Sequence, residues 1–154
     1  MPFPKVEVSA VAIVRGGRIL AVYNSAWGAF TLPMTKRRVW QNKEIETVHR
    51  DESWELAASR AIAEIIGKTV VGLKPLVSLP GYQQSDRDSA IKEYDYQAFR
   101  FVLPDGIEPI AGLVTEWLTI EEWLDPLRAP ISPTAVDLLK HAEAEAKLAG
   151  RSFP

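Results

Sequence analysis

The apolar positions at the start of the chain fall into two short runs on either side of a turn. The segment VSAVAIVRGGRILAVYN contains an apolar run, the pair Gly16-Gly17 and a second apolar run. This pattern is typical of a β-hairpin, because glycine adopts the positive φ angles of a tight turn. Similar runs recur along the chain, with Asp105-Gly106 marking a turn. The pattern predicts strands near residues 5–15, 18–24, 70–79, 91–103 and 113–118.

Apolar residues at helical spacing occupy the segment ESWELAASRAIAEIIG at positions 52–67. The spacing predicts a helix over residues 53–66, with Asp51 or Ser53 as its N-cap. Gly67 is the expected left-handed residue at its end. Two further helices are predicted towards the end of the chain, one opened by the capping box Thr119–Glu122 and one by Ser132-Pro133. Strands and helices in this order indicate an α/β fold.

Composition narrows the class of protein. Hydrophobic residues make up 47% of the chain and the net charge is −2, so we expect a buried core and neither nucleic acid nor a membrane surface as a partner. The absence of cysteine excludes disulfides and thiolate chemistry. No apolar stretch has the length of a membrane span, and MPFPKVEV lacks the pattern of a signal peptide. We therefore expect a cytoplasmic protein.

The helical segment carries part of a known motif. Residues 46–68 resemble the signature of the Nudix hydrolase family, G-x5-E-x7-R-E-U-x-E-E-x-G-U, in which U is a bulky aliphatic residue. The matching positions are Glu52, Arg60, Ile62, Glu64 and Gly67. The positions that depart from the signature are Glu46, Ala61, Ile65 and Lys68. The resemblance is therefore to a degenerate Nudix box.

The resemblance extends beyond this helix. The segment WGAFTLP is similar to the family's W-x-L-P-G-G-K segment, with Met34 and Thr35 in place of the two glycines. KEYDYQAFRFVL resembles a later strand, while EWLTIEEWL and ISPTAVDLLKHA resemble the closing strand and helices. The resemblance implies a Nudix-type α/β/α sandwich with a mixed β-sheet, formed by one Nudix-like domain over residues 1–154. It also implies an insertion at about residues 36–51.

The substitutions in the box fall on the residues that hold metal in the family. Positions 61, 64 and 65 share one arc of the helix, where in the family a cluster of carboxylates binds Mg²⁺ or Mn²⁺. Here only Glu64 remains as a candidate metal ligand and catalytic residue. Ala61 and Ile65 instead extend an apolar stripe with Trp54 and Ala58, which predicts a buried surface. Glu52, Arg60 and Gly67 are expected to have structural roles.

Other acids are candidates to assist Glu64. In the family a ligand or general base sometimes comes from a later loop or strand, which makes Glu93 and Glu116 candidate catalytic residues. Asp95 shares a strand face with Glu93. Asp86 and Asp88 are further candidates in the loop GYQQSDRDSA. The simpler interpretation of each is a solvated surface acid.

Basic and aromatic residues suggest a site for a nucleoside diphosphate-type small molecule. Lys36, Arg37 and Arg38 are candidate phosphate ligands, and Trp27 and Tyr82 are candidates to stack on a base. A charged loop is also compatible with a simple solvated surface. The segment around Val39-Trp40 in the insertion is a candidate interface for a homodimer, since Nudix domains often pair.

Two functional hypotheses remain open. In the first, the protein is a nucleotide-binding or interaction module with weak or no hydrolase activity and no cofactor. In the second, it is a divergent Nudix pyrophosphohydrolase that uses Mg²⁺ or Mn²⁺ to cleave a nucleoside diphosphate linked to another moiety. An apolar surface beside Glu64 favours the first hypothesis, and an open cleft with converging carboxylates favours the second.

Overall fold

A computed structural model describes residues 5–40, 49–85, 90–128 and 130–154. The strands are β1 (Lys5–Arg15), β2 (Arg18–Asn24), β3 (Ala29–Thr31), β4 (Met34–Lys36), β5 (Arg38–Trp40), β6 (His49–Asp51), β7 (Lys74–Ser85), β8 (Ile91–Val102) and β9 (Thr115–Leu118). The helices are α1 (Trp54–Ile66), α2 (Ile120–Leu124) and α3 (Pro133–Leu148). No helix in these described ranges has the length and hydrophobicity needed to cross a membrane.

The main sheet contains seven strands and is mixed. Its central order is β3-β2-β1-β8-β7, with β4 also paired to β1 and β9 paired to β2. The β1–β8 pair is parallel, whereas the other pairs of this sheet are antiparallel. β5 and β6 form a separate antiparallel pair. The predicted α/β class and mixed sheet are confirmed.

Helices pack on both faces of the sheet because side chains alternate along β1. Val11 and Ile13 belong to a core shared with α1, while Ala10 and Ala12 belong to a second core shared with α2 and α3. Trp123 of α2 is fully buried in this second core, and its indole nitrogen donates a hydrogen bond to the Ile19 carbonyl at 3.2 Å. The result is three layers, with the sheet between two helical layers.

Local signals set the ends of α1 as predicted. Ser53 is the N-cap, and its hydroxyl accepts a hydrogen bond from the Leu56 amide at 3.1 Å. Gly67 ends the helix at a φ of 73°, in the left-handed region. Asp51, the alternative cap, instead pairs with Arg38. α2 has the predicted capping box, but Ser132 makes no side-chain capping hydrogen bond to α3.

Two features differ from the sequence prediction. Two short strands, β5 and β6, lie in described parts of the expected insertion, and a third, β4, ends at its first residue. The polar sequence there shows no alternation. β7 begins at Lys74 and continues to Ser85, so the bounds predicted near 70–79 were wrong. Pro80 and Gly81 form a bulge within the strand, where the pairing register shifts between Leu79 and Tyr82. A dipeptide that usually marks a turn thus lies inside a long strand.

Candidate functional site

A cleft of about 980 Å³ opens where β1 changes its antiparallel partner. β1 pairs with β2 at Val14 and Arg15, and with β4 from Val8 to Ala10. β2 and β4 therefore diverge and leave space between them. The cleft is lined by the end of β2, the loop that follows it, β3, β4, one face of α1, and parts of β7 and β8.

The α1 wall of the cleft carries a single carboxylate. Glu64 is exposed and lines the cleft between Ala61 and Ile65, which line it too. Ala61 and Ile65 are only 2% and 7% exposed, because they also pack in the core under α1. The prediction that these two residues are buried is confirmed. Where the family signature has carboxylates, this wall is largely apolar.

The residues present do not fit the family's multi-metal cluster. In the described part of the chain, no group of three or more His, Asp or Glu side chains is placed to hold a metal ion. Of the described residues that line the cleft, Glu64 is the only acid. Mg²⁺ is bound by one or two carboxylates when substrate phosphates provide further ligands. Glu64 alone reaches the lower of these two numbers.

The structure does not bring the other candidate acids to Glu64. Glu93 and Asp95 lie beside the β7 bulge and do not line the cleft. The Asp95 carboxylate accepts a hydrogen bond from the Gly81 amide at 2.9 Å, which stabilises the bulge. Glu116 lies on β9 and forms an ion pair with Arg128 outside the cleft. Asp86 and Asp88 lie outside the described residues.

Glu52 and Arg60 connect the start of α1 to β4. The Arg60 guanidinium donates to one Glu52 carboxylate oxygen, and its Nη2 also donates to the Lys36 carbonyl at 3.0 Å. Glu52 is only 6% exposed, so its charge has few water contacts and depends on Arg60 for compensation. These contacts give both residues a structural position next to the cleft.

The three predicted phosphate ligands have different surroundings. Lys36 is exposed and lines the cleft. Arg37 contacts protein groups instead: its Nε donates to the Glu52 carbonyl and its Nη1 to the Glu7 carboxylate, both at 2.8 Å. Its guanidinium also lies over the Trp54 ring, at 4.7 Å from the centroid. Arg37 is therefore held by the protein rather than directed to the cleft.

Arg38 lies on the β5–β6 pair and does not line the cleft. Its guanidinium donates two hydrogen bonds to the Asp51 carboxylate, at 3.0 and 3.3 Å. The hydrogen bond from Arg38 lowers the pKa of Asp51 and, reciprocally, raises the pKa of Arg38. Of the three predicted cations, only Lys36 thus belongs to the cleft.

Of the two predicted stacking residues, only Trp27 lines the cleft. Trp27 is 47% exposed and lies in a tight turn after β2. The Asn24 side-chain oxygen accepts a hydrogen bond from Ala26 N at 3.0 Å, and the Asn24 carbonyl accepts one from Trp27 N at 3.2 Å. This turn holds the indole at the mouth of the cleft. Tyr82 instead donates its hydroxyl proton to Asp137 of α3, and burial raises the pKa of Tyr82.

Sequence reasoning missed the polar groups on the opposite wall of the cleft. Gln84, Tyr94 and Tyr96 line it, and the Gln84 side-chain oxygen accepts hydrogen bonds from the hydroxyls of Tyr96 and Thr134. Thr31 also lines the cleft, and its buried hydroxyl has no hydrogen-bond partner in the described structure. The alternation in YDYQ, with both tyrosines on one strand face, was the available signal.

Comparison with known proteins places this geometry in a known fold. No protein-family model and no curated protein sequence matches the chain. Solved structures do match it. A MutT protein from Methanosarcina mazei superposes with a TM-score of 0.66 at 16% identity, over 96% of this chain and 99% of that one.

Two further matches were solved as complexes. The NUDIX domain of NrtR from Shewanella oneidensis, complexed with ADP ribose, gives a TM-score of 0.56 at 15% identity, over 94% of this chain and 89% of that one. A C. elegans Ap4A hydrolase, in a binary complex, gives 0.58 at 17% identity, over 94% and 98%. The chain therefore has the fold of the Nudix hydrolases, and the predicted Nudix-type α/β/α sandwich is confirmed.

Proposed function

We propose that this protein is a Nudix-fold binding module that holds a nucleoside diphosphate-type small molecule in the cleft, with weak or no hydrolase activity. The observation that carries this proposal is the α1 wall, where Glu64 lies between the buried residues Ala61 and Ile65. One carboxylate cannot form the metal cluster that the family uses to activate water. Binding does not require that cluster.

The cleft has the groups that such a ligand needs. Its volume of about 980 Å³ suits a dinucleotide-sized molecule. Trp27 provides an exposed aromatic face, and Lys36 provides a cation for phosphate. Neighbours of the same fold include a domain complexed with ADP ribose and an Ap4A hydrolase. We infer a ligand of this chemical class for this chain as well.

The apolar substitution at Ile65 also has a benefit for folding. Burial of an isoleucine side chain stabilises a protein by roughly 1.5–3 kcal/mol, and Ile65 is 93% buried in the core under α1. A carboxylate at the same position would not contribute this energy. At this position the chain therefore has a side chain that stabilises the fold and cannot bind a metal, which is compatible with a binding module.

A divergent metal-dependent hydrolase is the second candidate, and one observation favours it. Glu64 is exposed on the cleft wall, where a carboxylate can share Mg²⁺ or Mn²⁺ with the phosphates of a bound ligand. The two candidates therefore differ in the role of Glu64. In a binding module its charge is dispensable, whereas a hydrolase requires it.

For the cellular setting we propose a cytoplasmic protein. The cysteine-free, nearly neutral chain supports a cytoplasmic location and a small-molecule partner instead of nucleic acid or membrane. Val39 and the backbone of Trp40 lie on β5, which pairs with β6, and this pair is our candidate surface for a homodimer.

Turnover separates the two candidates. Purified protein is incubated with ADP-ribose, ADP and UDP-glucose in the presence of Mg²⁺ or Mn²⁺, and cleaved products are quantified by chromatography. We expect each probe that binds by calorimetry to be recovered intact, and Glu64→Gln to leave binding unchanged. Metal-dependent cleavage that disappears in Glu64→Gln would establish the hydrolase instead. A wild-type protein that binds none of the probes would overturn both candidates.

A further inference from the structure

The amide side chain of Gln84 has an unusual pair of contacts. Its Oε1 accepts a hydrogen bond from the Tyr96 hydroxyl at 3.2 Å and another from the Thr134 hydroxyl at 3.1 Å. Tyr96 lies on β8 and Thr134 in the first turn of α3, so partners from two elements hold one oxygen. Because the amide group is planar, fixing its oxygen also fixes the direction of its nitrogen.

The nitrogen of this amide is available to a ligand. Gln84 lines the cleft. Within the described structure its Nε2 has no hydrogen-bond partner, and it is not among the buried polar atoms that lack one. A primary amide nitrogen carries two donor hydrogens and no acceptor. The protein thus satisfies the oxygen of the Gln84 amide, whereas the described structure provides no acceptor for its nitrogen.

The surroundings of Gln84 indicate the kind of acceptor that it meets. Tyr94 and Tyr96 line the same wall and are only 5% and 3% exposed, and their rings stack with centroids 5.7 Å apart. A neutral donor on an aromatic wall suits an uncharged acceptor, because an unpaired charge here would lose solvation. Lys36, on β4, is the cation of the cleft and suits phosphate.

We propose that Gln84 is a specificity-determining residue of the cleft, whose side-chain amide nitrogen donates a hydrogen bond to a carbonyl oxygen or ring nitrogen on the heterocycle of the ligand. This assignment rests on the proposed function, since it requires a ligand with a base in the cleft. Thr134 is then a positioning residue, which acts through the orientation of the Gln84 amide.

The test compares Gln84→Glu with wild type by calorimetric titration of ADP-ribose and UDP-glucose. Glutamate keeps an oxygen for the hydroxyls of Tyr96 and Thr134 but removes both donor hydrogens. We expect the affinity to fall by about tenfold or more, because a donor is replaced by an acceptor. Thermal unfolding of the variant verifies that the fold is retained.

A matched control measures the effect of the added charge alone. Asn24→Asp also places one negative charge in the cleft, and its Oδ1 still accepts the hydrogen bond from Ala26 N. We expect a clearly smaller loss of affinity in this variant than in Gln84→Glu. Equal losses would mean that only charge matters and would overturn the assignment. An unchanged affinity in Gln84→Glu would overturn it too, because the oxygen would then face the ligand.

Two further measurements keep the proposal testable if Gln84→Glu does not fold. The side-chain NH₂ signals of Gln84 in a ¹⁵N spectrum are expected to shift when ADP-ribose is added, and stationary signals in a protein that binds the probe would overturn the proposal. Thr134→Val is expected to weaken binding by a few fold and Thr134→Ser to restore it. A wild-type protein that binds neither probe overturns the proposed function, whereas binding without any role for Gln84 overturns only this assignment.

Discussion

Arg60 donates two hydrogen bonds to the same carboxylate oxygen of Glu52, from Nε at 3.0 Å and from Nη2 at 2.8 Å. The contact joins the middle of α1 to the residue that precedes its N-cap. Both residues match the Nudix signature, yet neither lines the cleft. This pair therefore stabilises the fold at the start of α1 and does not require carboxylates at positions 61 and 65.

This pair makes a prediction about stability. Glu52→Ala leaves the Arg60 guanidinium without its carboxylate. Because the Arg60 side chain is 36% exposed, we use the cost of losing a hydrogen bond to a charged group, about 1.5–3 kcal/mol. We expect the free energy of unfolding, measured by urea denaturation, to fall by about that amount. Glu55→Ala is the control, since Glu55 is exposed in the first turn of the same helix. Similar small losses in the two variants would contradict a structural role for Glu52.

A double substitution on α1 tests whether carboxylates at positions 61 and 65 are sufficient to make the cleft bind metal. Ala61→Glu combined with Ile65→Glu adds two carboxylates beside Glu64, so that three lie on one arc of α1. In the family this arrangement binds divalent metal. We expect tighter Mg²⁺ binding by calorimetry and metal-dependent cleavage of a bound probe. The double variant should also lose the roughly 1.5–3 kcal/mol that burial of Ile65 contributes.

A single added carboxylate elsewhere on the helix is the control for this experiment. Leu56 is 54% exposed on α1, and Leu56→Glu should change neither Mg²⁺ binding nor turnover. A double variant that folds but binds no Mg²⁺ more tightly than wild type would show that the cleft itself no longer accommodates the metal.

The exposed indole at the cleft mouth makes a prediction about affinity. Stacking of a base on an aromatic side chain contributes about 1–3 kcal/mol, so Trp27→Ala should weaken binding of ADP-ribose by about tenfold. The free energy of unfolding should change little, because Trp27 is 47% exposed. Leu127→Ala serves as the control at a 90% exposed position. Unchanged affinity in Trp27→Ala would place the base elsewhere.

The buried phenol of Tyr96, on the polar wall of the cleft, predicts a loss of folding stability at alkaline pH. Burial raises the pKa of Tyr96 above its ordinary value, so the folded state retains the phenol proton more strongly than the unfolded state. The resulting stability is fully present below the pKa of unfolded tyrosine, about 10, and is lost as the pH rises above it.

The comparison of wild type with Tyr96→Phe isolates this effect. At neutral pH the variant should be less stable by about 1 kcal/mol, because its hydrogen bond to Gln84 is absent. Above about pH 10 the two unfolding free energies should converge, since only the wild type has the buried phenol to ionise. Tyr23→Phe, at an exposed position, should show no convergence. Parallel curves for Tyr96→Phe and wild type would contradict the assigned burial.

The extent of sequence-based prediction differed between α1 and the cleft. The ends of α1 follow from neighbouring residues, since Ser53 caps the first turn and Gly67 adopts a φ of 73°, so local sequence was sufficient. The predicted bounds of β7 were wrong because the strand continues through a bulge at Gly81, which Asp95 on another strand stabilises. Gln84 and Thr134 are 50 residues apart, and their contact exists only after α3 has packed on the sheet.

The same distinction applies to the candidate cations. Lys36, Arg37 and Arg38 are consecutive in the sequence and look equivalent as phosphate ligands. The structure separates them, because Arg37 contacts Glu7 across β1 and β4, and Arg38 pairs with Asp51 on β6. Partners that lie far away in the chain, or on a short strand without an alternating pattern, decided which cation reaches the cleft.

The most direct test of a binding module is the affinity for ADP-ribose measured by calorimetry in EDTA and in Mg²⁺. If Trp27, Lys36 and Gln84 bind the ligand without a metal, as we propose, the dissociation constant is the same in both conditions and ADP-ribose is recovered intact. Binding that occurs only with Mg²⁺ and is accompanied by release of AMP would contradict it.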